Sequence, residues 1–107
     1  GLPSHPQHAL ARAQMRECGT IVRCDLRGGA EAGRGAAEGL TLFARTASLG
    51  STESLVMAPQ MLKARDLTAA QLAVSAVADG TVRLSIGLED PDDLSADIER
   101  ALTIAEA

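Results

Sequence analysis

The chain has 107 residues, enough for one domain, and its hydrophobic content of 46% argues against intrinsic disorder. A net charge of −4, no basic stripe and a single aromatic residue, Phe43, make nucleic acid a poor partner. No apolar run approaches the length of a membrane span, no signal-peptide pattern is visible, and Cys18 and Cys24 form no redox motif, so we expect a cytoplasmic setting and no membrane partner.

The first elements in the chain are predicted to be a helix and a strand. Residues 7–15 have a helical pattern, and residues 20–26 alternate between apolar and polar side chains. Val22, Cys24 and Leu26 share one side of that strand, which predicts a half-buried strand. Cys24 is interpreted as a small buried hydrophobe.

The middle of the chain is predicted to be less regular. Residues 30–43 favour a weak helix, because each of three glycines within it costs about 1 kcal/mol relative to alanine. Residues 45–49 predict a short strand and residues 50–53 a turn. A second extended stretch covers residues 54–59, and residues 60–67 are irregular.

The last third predicts a helix, a strand and a longer helix. Thr68 and Gln71 have capping-box spacing at the start of the first helix. Residues 81–87 alternate cleanly, and Asp90 followed by Pro91 is typical of a helix N-terminus. The final helix then carries one apolar stripe, formed by Leu94, Ile98, Ala101, Leu102 and Ala105.

The predicted order is helix, strand, helix, strand, strand, helix, strand, helix over residues 1–107. Such a pattern indicates an α+β domain: a small, mostly antiparallel sheet with helices packed on one face, in the manner of an α/β sandwich.

Arg83 is the most informative single residue of the chain. It lies in the middle of a predicted strand, on the face opposite Val82, Leu84 and Ile86. Because the helices need the apolar face, the guanidinium should point away from the core of the domain. It is either a clamp for the carboxylate of an acidic or amino-acid ligand or a solvated arginine, and spacing alone favours the solvated arginine.

Other polar groups give weak signals. The turn at residues 48–53 could hold an anion on backbone amides, but an ordinary loop is more common. His5 and His8 lack further ligands at metal-site spacing, so surface histidines are the favoured interpretation.

The acidic residues 89–93 are interpreted as helix caps, and Lys63, the only lysine, as solvated. We find no catalytic triad spacing and no phosphate loop, and assign no catalytic, cofactor-binding or metal-ligating residue from spacing.

Three stretches taken together resemble one family. Residues 1–8 resemble the segment that opens the C-terminal domain of cystathionine synthases, cystathionine lyases and methionine γ-lyases. Residues 48–55 resemble their Ser-Leu-Gly-x-x-Glu-Ser-Leu motif, and residues 79–90 their Asp-Gly-x-Val-Arg-Leu-Ser-x-Gly-x-Glu-Asp signature. The order and approximate spacing are those of the family. The chain therefore resembles the C-terminal small domain of the trans-sulfuration (Cys/Met metabolism) enzymes, which are fold-type I enzymes dependent on pyridoxal phosphate.

The resemblance implies roles for individual residues. Arg83 corresponds to the arginine that binds the substrate α-carboxylate. Ser48 corresponds to a serine near the carboxylate and the cofactor-bearing lysine, and Leu49 lies at the same edge of the site. Glu53 corresponds to a family glutamate, which we interpret as supporting the turn.

The resemblance also implies what other parts of the enzyme supply. In the family a large N-terminal domain or a neighbouring subunit provides the Schiff-base lysine, the aspartate at the pyridinium nitrogen, the phosphate loop and a stacking aromatic ring. Lys63 aligns with the stretch after the Ser-Leu motif instead. We therefore expect pyridoxal phosphate in the full enzyme, an amino-acid substrate and a homo-oligomer. We expect no cofactor on this chain alone, which should be inactive by itself.

Two departures from the family leave the substrate open. Residues 58–64 lack the two histidines that many members have there, and Ala47 stands where several cystathionine-processing members have glutamate. Elimination at the β- or γ-carbon and γ-replacement all remain open. Two other functions also remain open: a stand-alone module that binds amino acids through Arg83, and a self-associating domain whose sheet face is bare.

Overall fold

A computed structural model describes residues 1–58, 68–74 and 77–105. Within these ranges, the order of helices and strands is the predicted one. The irregular stretch predicted at residues 60–67, with Lys63, lies outside the described residues. The elements are α1 (His8–Gln14), β1 (Ile21–Asp25), α2 (Gly29–Gly39), β2 (Ala44–Arg45), β3 (Leu55–Met57), α3 (Ala69–Val74), β4 (Thr81–Ser85) and α4 (Pro91–Ala105).

The strands form one four-stranded sheet in the order β1-β4-β3-β2. Strand β4 pairs antiparallel with both β1 and β3, whereas β2 pairs parallel with β3. The prediction of a small, mostly antiparallel α+β sheet is confirmed. Since β4 has a strand on each side, its residues hold central positions in the sheet.

Helices α2 and α4 pack against each other, and α2 also packs on β4. Small residues allow this close approach: a Cβ added at Gly39 would lie 3.3 Å from Ala101 of α4. The glycines of α2 therefore lower its helix propensity but let the two helices meet. The buried apolar cluster between this layer and the sheet consists of Ala37, Phe43, Val56, Val82, Leu84 and Leu94.

Both predicted helix starts in the last third of the chain are confirmed. The backbone N–H of Asp92 donates to Asp90 Oδ1 at 2.8 Å, and Pro91 begins α4. At α3, Gln71 donates its backbone N–H to Thr68 Oγ1 and accepts the backbone N–H of Thr68, which is the reciprocal pair of a capping box.

Three sequence predictions need correction. Helix α2 ends at Gly39, so Phe43 lies in the connection that follows it. The strand predicted at residues 45–49 is limited to β2, since the backbone of Ser48 and Gly50 bonds to side chains of β4 instead. Val22 is 46% exposed, because β1 is an edge strand and α2 and α4 cover the middle of the sheet.

The sheet face opposite the helices is not bare over β3 and β4. Leu55 and Thr81, which lie on this face, are each 2% exposed, and Ser85 is buried beside them. The turn after β2 folds onto this face, since its Gly50 donates a hydrogen bond to Ser85. The expectation of a bare sheet face is therefore wrong for β3 and β4. On β1, Ile21 does expose apolar surface on this face.

Among the described residues, no helix is both long and apolar enough to cross a membrane.

Candidate substrate-carboxylate site

Arg83 lies at the centre of β4, with its Cα opposite Arg23 of β1 and Met57 of β3. Its neighbours Val82 and Leu84 are buried in the core on the helix side. Side chains alternate along a strand, so Arg83 lies on the opposite face, as the sequence pattern predicted. The residue is half-buried.

The structure brings Arg83 and Ser48 together, although 35 residues separate them in the chain. Arg83 Nη2 donates a hydrogen bond of 2.9 Å to the carbonyl oxygen of Ser48. Arg83 Nε is buried, and no residue within the described ranges accepts its proton. A buried donor without a partner costs about 1–3 kcal/mol, so this nitrogen is well suited to an incoming acceptor.

These contacts leave the Nε–H of the guanidinium without an acceptor among the described residues. A carboxylate binds arginine best through two parallel hydrogen bonds, because its two oxygens match the spacing of neighbouring N–H groups. The bond to Ser48 fixes the orientation of the guanidinium plane. The arrangement can therefore hold a carboxylate at the Nε edge, on the sheet face away from the helices.

The side chains of Ser48 and Leu49 are exposed in the turn that follows β2. Leu49 is 58% exposed, which is unusual for leucine and leaves an apolar side chain at the open edge of the site. The contact with Arg83 uses the backbone carbonyl of Ser48 and leaves its hydroxyl free of that interaction.

Backbone geometry determines the path of this turn. Gly50 has a φ of +72°, a conformation that residues with a side chain rarely adopt. Its N–H donates to Ser85 Oγ at 3.1 Å. Further along, Thr52 accepts a backbone hydrogen bond of 2.8 Å from Leu88. The turn is therefore attached both to β4 and to the segment that follows β4.

Glu89 is a residue of this region that sequence reasoning missed. Its Oε1 accepts the backbone N–H of Ser54 at 2.6 Å, and its Oε2 accepts the Ser54 hydroxyl at 2.7 Å. The Ser54 oxygen in turn accepts the N–H of Gly87 at 2.9 Å. These hydrogen bonds from Ser54 to the carboxylate lower the pKa of Glu89, the backbone N–H having the larger effect.

Residues of the acidic cluster at 89–93 therefore have different roles. Asp90 caps α4, as predicted, but Glu89 bonds back to the turn, so its interpretation as a helix cap is wrong. Glu53, expected to support the turn, is exposed, and its backbone N–H donates to Ser51 Oγ. A signal was present in the sequence, because Ser54 and Glu89 each lie within one of the two conspicuous motifs.

Charged residues of β1 lie close to Arg83 in the sheet. Arg23 lies directly opposite Arg83 in the antiparallel pair, and like charges in this position repel. Asp25 forms an ion pair of 3.0 Å with Arg23 and accepts the hydroxyl of Thr81. The Thr81 hydroxyl and the Arg23 guanidinium lower the pKa of Asp25. Among the described residues, the two guanidinium groups of Arg23 and Arg83 and the one carboxylate of Asp25 thus lie close together on this part of the face.

A cleft of about 520 Å³ lies elsewhere, between the N-terminal segment with α1 and strand β1. His5 and His8 line it, and His5 Nδ1 accepts the backbone N–H of Gln7 at 3.1 Å. In the described ranges, no three His, Cys, Asp or Glu side chains are grouped closely enough to hold a metal ion. Arg83 and Ser48 do not line this cleft.

Comparison with known proteins identifies the class. Residues 1–103 match the family described as Cys/Met metabolism PLP-dependent enzyme, and the chain belongs to this family. It is 45% identical over 102 residues to L-methionine gamma-lyase from Pseudomonas putida, a match that covers 95% of this chain and 26% of that enzyme. With cystathionine gamma-lyase from Dictyostelium discoideum the identity is 40% over 102 residues, with the same coverage of 95% and 26%.

Solved structures give the same result. The chain superimposes with a TM-score of 0.89 and 40% identity on cystathionine gamma synthase from Xanthomonas oryzae pv. oryzae in complex with cystathionine, covering 99% of this chain and 27% of that one. For the cystathionine gamma-lyase from Micromonospora echinospora the TM-score is 0.83 at 43% identity, with 96% and 27% covered. The chain thus spans about a quarter of the length of the relatives that it matches.

The described residues include no lysine to which pyridoxal phosphate could be attached. The cofactor is normally attached to a lysine, and the one lysine of the sequence, Lys63, lies outside the described residues. The buried Nε of Arg83, which lacks an acceptor among them, is a hydrogen-bond donor of the kind that a carboxylate accepts.

Proposed function

We propose that this chain is the C-terminal domain of a pyridoxal-phosphate-dependent lyase or transferase of sulfur amino-acid metabolism. Its part in the reaction is to bind the α-carboxylate of the substrate through Arg83. The observation that carries the proposal is the buried Arg83 Nε without an acceptor among the described residues, beside an Nη2 already fixed on Ser48.

The geometry supports binding rather than proton transfer as the role of Arg83. A guanidinium stays charged under all ordinary conditions, so it donates hydrogen bonds without acting as an acid or base. Because its plane is fixed by the Ser48 carbonyl, little of its conformational freedom is lost when a carboxylate binds. Ser48 and Leu49, both exposed in the same turn, line the edge beyond the carboxylate.

Membership of the family supports a sulfur amino acid as the substrate. The relatives named above act on methionine or cystathionine by name, and both are sulfur amino acids with an α-carboxylate. Elimination and γ-replacement share this group, so the role of Arg83 is the same in each. When bound, pyridoxal phosphate supplies the electron sink for bond cleavage next to the amino group. A large domain outside this chain, in a homo-oligomer, holds that cofactor.

Steady-state kinetics of the complete polypeptide that carries this chain test the proposal. We expect Arg83→Ala to lower kcat/KM for methionine or cystathionine by about 100-fold, because a charge-assisted pair of hydrogen bonds is lost. Arg45→Ala is the matched control, since Arg45 is an exposed arginine on the edge strand β2 and should leave kcat/KM unchanged. Equal kcat/KM for Arg83→Ala and the wild type would overturn the proposal.

A further inference from the structure

We propose that Ser85 is a positioning residue for the carboxylate site, acting on Arg83 through the turn at residues 48–50. The inference rests on the proposed function of Arg83. Ser85 does not contact Arg83 by a hydrogen bond in the structure. Instead its hydroxyl holds the backbone of Gly50, two residues after the carbonyl on which Arg83 is oriented.

The contacts form a closed path. Arg83 and Ser85 lie two positions apart on β4, so their side chains emerge on the same face. Arg83 Nη2 donates to the Ser48 carbonyl at 2.9 Å, and Gly50 N–H donates to Ser85 Oγ at 3.1 Å. Strand β4 is thus hydrogen-bonded to the turn at two points, Ser48 and Gly50.

The burial of Ser85 suits this role. The residue is 1% exposed, although serine is usually found at the surface. Its oxygen accepts from Gly50, whose φ of +72° directs the backbone through the turn. A hydroxyl buried on the sheet is shielded from water on its own side, so its hydrogen bond to the exposed Gly50 backbone is stronger than a bond between two exposed groups.

The turn has few other attachments. Between Thr46 and Thr52, the described hydrogen bonds that tie it to β4 are the two at Ser48 and Gly50. Leu49 between them is exposed and does not anchor it by burial. Removing the Ser85 hydroxyl leaves the turn held at its ends, where Thr46 bonds to Val56 and Thr52 to Leu88, but takes away the bond nearest to Ser48 other than that from Arg83. The Ser48 carbonyl, and with it the Arg83 guanidinium, is then less firmly positioned.

The direction of the kinetic effect follows from this. A less fixed guanidinium binds the carboxylate more weakly in the ground state and the transition state alike, so KM rises while kcat stays nearly constant. The loss of one neutral hydrogen bond predicts a rise in KM of about three- to tenfold. A structural role alone would lower stability without changing KM.

The test uses the complete polypeptide with pyridoxal phosphate and compares Ser85→Ala with a matched control. Thr41→Val likewise removes a hydroxyl that makes side-chain hydrogen bonds, but its partners Asp97 and Arg100 lie on α4 and not in the turn or on β4. We expect a raised KM for methionine or cystathionine in Ser85→Ala only. Thermal unfolding of both variants measures the loss of stability separately.

A double-mutant cycle separates this inference from the proposed function. If Ser85 acts through Arg83, then Ser85→Ala should add little to the KM of Arg83→Ala, so the two effects are not additive. A raised KM in Arg83→Ala with an unchanged KM in Ser85→Ala would overturn the role of Ser85 and leave the proposed function standing. Fully additive effects of the two substitutions on KM would have the same consequence. An unchanged kcat/KM in Arg83→Ala would overturn the proposed function, and the role of Ser85 with it.

Discussion

Ser54 and Glu89 lie 35 residues apart in the chain and are joined by two hydrogen bonds, of 2.6 and 2.7 Å. Ser54 directly precedes β3, and Glu89 lies between β4 and α4. The pair therefore closes the end of the polar turn against the segment that follows β4. The motifs at residues 48–55 and 79–90 are therefore in direct contact in the fold.

The first prediction concerns this pair. Glu89→Ala should lower the melting temperature of the chain, because the buried N–H and hydroxyl of Ser54 lose their acceptor. Since the folded pKa of Glu89 is lowered, its contribution is present above the ordinary glutamate pKa and is lost as the pH falls through the lowered value. Asp93→Asn is the control, because Asp93 is an exposed acidic residue in the first turn of α4. Equal melting temperatures for the two variants at neutral pH would contradict the prediction.

Asp97 gives a second prediction, on acid stability. The residue is 5% exposed and accepts backbone N–H groups from Thr41 and Leu42, each at 2.9 Å, together with the Arg100 guanidinium. Burial raises its pKa, but the bonds from Leu42, Thr41 and Arg100 outweigh burial and lower the pKa from 3.8 to about 2. A folded pKa below the unfolded value means that this stabilisation is complete above pH 3.8 and is lost as the pH falls toward 2.

Urea unfolding measures this effect. Asp97→Asn should lower the free energy of unfolding by about 2 kcal/mol at pH 7, and the gap from the wild type should narrow below about pH 4. Glu99→Gln, an exposed position on the same helix, should match the wild type at both pH values. A gap for Asp97→Asn that stays constant from pH 7 to pH 3 would be inconsistent with this account.

The third prediction concerns close approach at Gly87. A Cβ at this position would lie 2.5 Å from the Thr52 carbonyl oxygen and 2.6 Å from the backbone of Glu53, which cannot move without moving the turn. Gly87→Ala should therefore destabilise the chain by about 2 kcal/mol or more. Gly19→Ala is the control, because a Cβ there has no neighbour within 4 Å. Equal urea midpoints for the two variants would show that the turn and strand do not meet as described.

The fourth prediction concerns the two thiols. Burial raises the pKa of the Cys24 thiol, and the Asp25 carboxylate adds to the effect, whereas Cys18 is exposed. Because the thiolate is the reactive form, iodoacetamide should alkylate Cys18 at least about tenfold faster than Cys24 at pH 8. Peptide mass spectrometry over time measures both rates in one sample. Similar rates in the folded chain would show that Cys24 is not protected.

The fifth prediction concerns the chain alone. Purified by itself and mixed with pyridoxal phosphate, it should retain no visible absorption band after dialysis, since the proposed function assigns the cofactor to a large domain outside this chain. Calorimetry with methionine should likewise show no binding. A band that survives dialysis and disappears on borohydride reduction would contradict the prediction, and methionine binding that Arg83→Ala abolishes would favour a stand-alone amino-acid-binding module.

Local patterns predicted much of this fold. The alternation along β4 placed Arg83 on the correct face, and the caps of α3 and α4 are short-range hydrogen bonds that spacing reveals. Edge positions were harder, because the exposure of Val22 depends on which strand the helices cover. Strand order decides which strands the helices cover, and local sequence patterns do not reveal strand order.

Long-range polar pairs were the least predictable. Asp97 lies on the buried side of α4 among apolar residues, and its partners Thr41 and Leu42 are more than 50 positions away. Gly50 and Ser85 meet only because the turn after β2 folds across the sheet. A single sequence cannot reveal such pairs unless each member already lies in a recognisable motif, as Ser54 and Glu89 do.

The most direct test of the central claim is a crystal structure of the complete polypeptide with pyridoxal phosphate and norleucine, which has the length of methionine but no carbon–sulfur bond. In that complex the α-carboxylate oxygens should lie about 2.7–3.2 Å from Arg83 Nε and a neighbouring guanidinium nitrogen. The Arg83–Ser48 bond should be retained in that complex. A norleucine carboxylate bound to other residues, with Arg83 Nε still unpaired, would contradict the account.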